Sequence, residues 1–231
     1  MKIALNDPLW QRLYGPYGVE SVPEIITELL SHWDDELAAD LFWEKLHHQD
    51  TLYPVTYAAL PWLWEIVVNG GTPSTDTLIF LSHVCCCAVD HHGDASASVR
   101  YNGLSTKIED HHHVWIDEAQ RLTEIDIEKL KALETWFSDR AENIAELCIC
   151  AMPSDDRQIA AMLAAGVAGL RGSPTVAQAM SMWADGEYLA TILDELGKPT
   201  EIDIEVSQVV IKFAQIRNEP LSKFLCDWIK L

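Results

Sequence analysis

Apolar residues recur at helical spacing along nearly all of this chain, and no run shows several residues of strict apolar/polar alternation with hairpin turn signals. That periodicity restricts the chain to an all-α fold. Pro23 to Leu30 opens with proline, which the first turn of a helix tolerates, and carries apolar residues at i, i+1, i+4 and i+5. The next helix is expected to begin near Asp34-Asp35-Glu36, because carboxylates complement a helix N-terminus. Its apolar face would be Leu37, Ala38, Leu41, Phe42 and Leu46.

Pro54 to Val68 reads as a helix that Pro61 should bend or interrupt by removing a backbone donor, with Asn69-Gly70-Gly71-Thr72-Pro73 ending it. Thr75 to Val89 reads as a buried helix, and His91 to Asp110 as the longest irregular segment. Shorter helical patterns follow at Val114–Leu122, Asp126–Phe137, Asp139–Ala151, Asp155–Leu170, Thr175–Ala184, Tyr188–Leu196, Ile204–Arg217 and Pro220–Ile229. Ser154 is the expected N-cap of the helix holding Ala160 to Leu170, whose small side chains allow a neighbouring helix to approach closely. Helix pairs of this kind stack into α-solenoids, so the expected architecture is one domain over residues 1–231: a stack of antiparallel helical hairpins with an irregular loop near 91–113.

No apolar run reaches the roughly 18 residues that would span a bilayer. The N-terminus lacks a long apolar segment followed by a small-residue cleavage site, which makes the cytoplasm the default expectation. Cys85, Cys86 and Cys87 are adjacent within a helical pattern, where successive side chains fan apart and cannot bridge one another. Reduced, buried cysteines are expected there and at Cys148, Cys150 and Cys226.

Charge narrows the choice of partners. The chain carries 36 acidic and 16 basic residues, a formal net charge of −20. Residues 1–118 hold 18 acidic and 5 basic side chains and residues 119–231 hold 18 and 11, so most of the excess lies in the N-terminal half. Such a surface repels nucleic acid and anionic membranes; it serves solubility, and it also suits a basic protein partner.

Two sequence pieces resemble a group of bacterial HEAT-like repeat proteins. One is Trp10-x-x-Leu13 followed by Tyr17-Gly18 and Val22-Pro23. The other is Leu46-x-His48-Gln49, then Thr51-x-Tyr53, Thr56 and Ala59-Leu60-Pro61-x-Leu63. In that group glycine usually follows the His-Gln pair, whereas Asp50 stands here. The resemblance covers roughly the first third of the chain. It implies that the helical hairpins form a HEAT-like stack, an α-solenoid serving as a binding scaffold, and it transfers no catalytic residue.

His48, Gln49, Thr51 and Tyr53 fall between two helices, where polar side chains commonly satisfy orphan backbone groups, and they are read as a structural turn. No triad spacing or nucleophile elbow accompanies them. His91-His92-Gly93-Asp94 and Asp110-His111-His112-His113 offer metal-ligand residue types, but adjacent histidines point apart and lack the i, i+3 or i+4 spacing of a helical metal site. No metal and no cofactor are therefore expected. Trp62 and Trp64 stand two apart on a helix and cannot both face one core, which makes them candidate interface anchors. Asp34, Asp35 and Glu36, with Asp40 and Glu44 at i, i+4, form a candidate acidic stripe.

The leading expectation is a non-catalytic acidic scaffold that binds another protein, with an immunity protein neutralising a basic bacterial toxin as its narrower form. Neither nucleic acid nor membrane is expected as a partner. The competing expectation is a metal-dependent or histidine-assisted hydrolase built on residues 91–113, in which His92 and His112 would be essential.

Overall fold

The helix boundaries follow from local chemistry at their first turns. A computed structural model describes residues 1–48, 51–69, 75–87, 127–140, 143–144, 147 and 156–230. Among these residues the chain forms ten α-helices and one two-residue antiparallel ladder. The helices are α1 (Val22–Ser31), α2 (Asp35–Asp40), α3 (Pro54–Asn69), α4 (Thr75–Cys87), α5 (Ile127–Ser138), α6 (Arg157–Leu170), α7 (Pro174–Ala184), α8 (Leu189–Leu196), α9 (Glu201–Arg217) and α10 (Glu219–Trp228). The all-α expectation holds, and no helix among the described residues is long and apolar enough to cross a membrane.

The chain divides into two compact units, Met1–Thr77 with Gly103–Arg140, and Leu78–Asn102 with Ala141–Leu231. In the first, a 3₁₀ turn over Pro8–Arg12 starts at Asp7, whose carboxylate accepts from the Leu9 amide at 2.8 Å. Helix α1 buries Val22, Ile26 and Leu29 and packs on α3. The next helix starts where the acidic triplet placed it, with Asp34 as the N-cap accepting from the Leu37 amide at 2.9 Å. Instead of continuing as an α-helix, the chain widens into a π turn over Leu41–Lys45, closed by the Leu46 amide on the Leu41 carbonyl at 3.0 Å. Across this turn Leu41 and Phe42 are buried while Glu44 is exposed.

Helix α3 is the centre of this unit. Residues Val55 to Leu60 are all buried, and Leu63 and Val67 continue the buried face. Pro61 does not interrupt the helix, which runs through it to Asn69. Proline denies the Tyr57 carbonyl its usual partner four residues on. The Tyr57 ring meets Phe137 of α5 edge-on at 5.8 Å, fixing the α3–α5 contact.

In the second unit α6 is the hub, packing on α7, α9 and α10. Its run of Ala160, Ala161, Leu163, Ala164, Val167 and Ala168 is buried. Ser82 of α4 donates its hydroxyl to the Met162 carbonyl at 2.7 Å and to that of Leu163 at 3.3 Å, and Gly166 lies against the Ser82 backbone one turn later. A Cβ on Gly166 would come within 2.8 Å of the Ser82 Cα and closer still to its two oxygens. The small-residue reading of Ala160 to Leu170 therefore has a named neighbour.

The caps differ in detail from the sequence expectation. Asp156, not Ser154, caps α6, accepting from the Ile159 amide at 3.0 Å; Ser154 lies outside the described residues. Ser173 caps α7 ahead of Pro174, Asn218 caps α10 ahead of Pro220, and Thr200 forms a capping box with Asp203 that starts α9 at Glu201, three residues before the expected Ile204. Asp203 is buried and accepts from Thr200 N at 2.8 Å, Thr200 Oγ1 at 2.7 Å and Ser173 Oγ at 2.6 Å, so one carboxylate ties two helix N-termini together. Cys226 is half-buried and unbridged. The expected helices Val114–Leu122 and most of Asp139–Ala151, the irregular segment His91 to Asp110, and Cys148 and Cys150 lie outside the described residues.

Candidate functional site

Two features of the first unit were marked by sequence: the polar turn after the π turn, and the acidic stripe before it. At the turn the backbone pairs briefly as β-structure, His47 opposite Leu52 and His48 opposite Thr51, where only a helix end and a loop had been expected. Thr56, fully buried, knits it to α3 by donating to the Leu46 carbonyl and accepting from the Tyr53 amide at 2.9 Å. The Tyr14 carbonyl accepts from the Val55 amide at 3.4 Å, so the Tyr14–Gly18 segment is fastened to the start of α3 as well. Gly15 is required here, because a Cβ would strike the Lys45 carbonyl oxygen.

Aromatic rings from the Tyr14–Tyr17 segment, the π turn and the polar turn meet at this place. Tyr14 stands edge-on to Tyr53 at 6.1 Å, and Tyr17 edge-on to His48 at 5.7 Å with its hydroxyl 3.3 Å from His48 Nδ1. Trp43 packs edge-on against His47 at 5.7 Å. Burial, reinforced by the nearby Tyr17, pushes the Tyr53 phenol up to about 12, and burial also raises Tyr14. The Tyr53 hydroxyl has no hydrogen-bond partner among the described residues. A phenol held neutral in this way is not poised as a base or nucleophile near neutral pH. Gln49 lies outside the described residues, and Thr51 is described through its backbone alone.

The acidic stripe presents itself to solvent. Asp34, Asp35, Glu36, Asp40 and Glu44 are all exposed, although Asp34 uses one oxygen as a cap and Asp35 accepts from Trp33 Nε1 at 2.7 Å. Between Arg12 and Lys45 the chain contains eight acidic residues and neither lysine nor arginine. The flanking Lys45 is engaged by Glu20 at 3.5 Å. Leu30, 45% exposed, and the half-buried Trp33 and Trp43 belong to the same stretch. Residue type and helical spacing alone count these three with the core positions; only burial separates them from Leu29 and Phe42.

Trp62 and Trp64 are both half-buried, so neither is a simple core residue. Trp62 is nevertheless occupied from within its own unit. Its indole donates to the Ile3 carbonyl at 2.9 Å, and the Lys2 ammonium sits 3.4 Å from the ring centroid while pairing with Glu65.

Among the described residues no group of three or more His, Cys, Asp or Glu side chains is arranged to hold a metal ion. His91, His92, Asp94, Asp110 and His111 to His113 lie outside those residues. Comparison with models of protein families, with curated proteins and with solved structures finds no match to this chain.

Proposed function

We propose that this protein is a non-catalytic helical scaffold that binds a basic protein through the acidic face carried by α1, α2 and the π turn. One observation carries the reading: exposed carboxylates at Glu24, Glu28, Asp34, Asp35, Glu36, Asp40 and Glu44, on a stretch with no lysine or arginine from Leu13 to Glu44, set with the partly exposed Leu30, Trp33 and Trp43. The carboxylates would steer a cationic partner from a distance, and the desolvated apolar residues would hold it once docked. The backbone of this face is fixed by the Asp34 cap between α1 and α2 and by the Thr56-locked turn that follows the π turn. A rigid face loses little conformational entropy on binding.

In its finer form the reading is a HEAT-like stack of helical hairpins, similar to the bacterial repeat group, that acts in the cytoplasm as an immunity protein against a basic toxin. Short connections support the hairpins: Arg171–Ser173 between α6 and α7, and Asn218 alone between α9 and α10.

The test is co-expression with the toxin encoded by the adjacent gene, followed by affinity capture at low and high salt. Protection and a complex that weakens with salt are expected. The pair Asp35→Lys and Asp40→Lys should slow association by about tenfold or more at low salt. The absence of both protection and a complex would sink the toxin assignment, and unchanged association of the paired variant with any captured basic partner would sink the docking face.

A further inference from the structure

The most exposed large apolar side chain among the described residues lies in the second unit, far along the chain from the acidic stripe. Tyr188 is 80% exposed, yet its backbone is tightly fixed. Helix α7 ends at Ala184 with Asp185 as its C-cap, and Gly186 takes a φ of +94° so that its amide reaches the Trp183 carbonyl at 3.1 Å while the Glu187 amide reaches that of Met182 at 3.1 Å. This is a Schellman-type closure, which needs a residue able to enter the left-handed region. Tyr188 follows in extended conformation and starts α8, its carbonyl accepting from the Ile192 amide at 3.1 Å. The ring is therefore displayed from a fixed corner between two helices rather than from a loose loop.

The chain that runs on from this corner is rich in carboxylates. From Asp185 to Glu205 the chain has seven acidic residues and one basic residue, Lys198. Of the seven, Asp185, Glu187, Asp194, Glu195, Glu201 and Glu205 are exposed, and only Asp203 is buried. The neighbouring aromatic, Trp183, is already covered by a cation, since the Arg157 guanidinium lies 4.3 Å from its ring centroid and donates to the Glu187 carbonyl at 3.5 Å. Helix α8 packs inward through Ile192 alone among its fully buried residues, leaving Leu189, Leu193 and Leu196 partly uncovered.

We propose that the α7–α8 corner is a second docking site, in which Tyr188 stacks under an arginine or lysine of a cationic protein segment while Asp185 and Glu187 pair with its neighbours. The inference depends on the preceding one only in taking basic proteins as partners; its residues and its unit are different. A cation over a tyrosine face gains from the ring quadrupole, and rigid display lowers the entropy lost on docking.

The test is a titration of the full chain with an octa-arginine peptide at 0.15 M salt, roughly physiological ionic strength, followed by amide ¹H–¹⁵N spectra. Saturable shifts at Glu187 to Ile192 are expected. Tyr188→Ala should weaken binding at this corner at least fivefold without changing amides elsewhere, whereas Tyr188→Phe, which keeps the ring, should stay within twofold. Unchanged affinity of the Tyr188→Ala protein, or no saturable shift at the corner, overturns the proposal. Repeating the titration with Asp35→Lys and Asp40→Lys separates the two readings. In that variant, loss of shifts at Trp33 to Glu44 with the Glu187 to Ile192 shifts retained supports an independent corner, and loss of the corner shifts as well overturns it.

Discussion

Replacing Gly166 with alanine sets two forces of opposite sign against each other in the second unit. Alanine is favoured over glycine in a helix interior by about 1 kcal/mol, so a helix considered alone would be stabilised. In this fold the new methyl would point at α4, within 2.8 Å of the Ser82 Cα and closer to both Ser82 oxygens, whereas ordinary contact begins near 3.4 Å. Relief requires α4 to retreat, and overpacking of this type costs about 1–3 kcal/mol. The retreat also strains the Ser82 hydroxyl's bonds to the Met162 and Leu163 carbonyls, worth about 1 kcal/mol for one shared donor. Packing wins, and Gly166→Ala should destabilise the unit by about 1–3 kcal/mol net. Urea unfolding, together with hydrogen exchange of the α6 amides, reads the change in the relevant unit. Adding Ser82→Ala should rescue only part of the loss, because the Ser82 carbonyl oxygen and Cα remain in the way. A Gly166→Ala protein as stable as the parent, or full rescue by Ser82→Ala, would refute the close backbone approach.

Asp203→Ala should cost about 2–4 kcal/mol, since the Ser173 hydroxyl and the Thr200 amide and hydroxyl lose a shared buried acceptor; thermal unfolding within half that range of the parent would show the clasp to be dispensable. Thr56→Val keeps the shape but strands the Tyr53 amide and the Leu46 carbonyl, so a loss of about 2–4 kcal/mol and faster exchange near His47 to Val55 are expected. For Tyr53 the folded phenol ionises near 12 against an ordinary 10.0, so the unfolded chain loses its proton first as pH rises. Stability from this source is intact below pH 10.0 and falls between there and about pH 12, by about 1.4 kcal/mol per pH unit at most for this one group. Tyr14, raised in the same direction, extends the loss upward. Tyr53→Phe should remove the Tyr53 share of that alkaline slope while leaving neutral-pH stability nearly unchanged, because among the described residues the hydroxyl has no hydrogen-bond partner; urea unfolding at neutral pH and from pH 10.0 to about 12 checks both.

Much of the fold was legible in the sequence because it depends on neighbours a few residues apart. Prolines at first turns, the Asp34 cap and the 3.6-residue apolar spacing are local signals, and they located helices α1, α2 and α3 and those of the C-terminal part to within a few residues. The errors were local competitions between similar residues: Asp156 in place of Ser154, and Thr200 with Asp203 starting α9 early. The acidic stripe was visible as a run of charge, but its apolar members Leu30, Trp33 and Trp43 were not, since spacing cannot distinguish a half-covered ring from a buried one.

The amino-acid sequence by itself determined the helical class and the distribution of negative charge, both set by residue type and short-range periodicity. Tertiary structure alone decided which residues became occupied. Trp62 is taken by Lys2 and Ile3 from almost sixty positions away, and Gly166 is matched to Ser82 more than eighty positions earlier. Tyr188, by contrast, is left standing on a closed corner. Contacts between distant segments arise only when chain entropy has been spent to bring them together, and no local pattern encodes which side chains will meet.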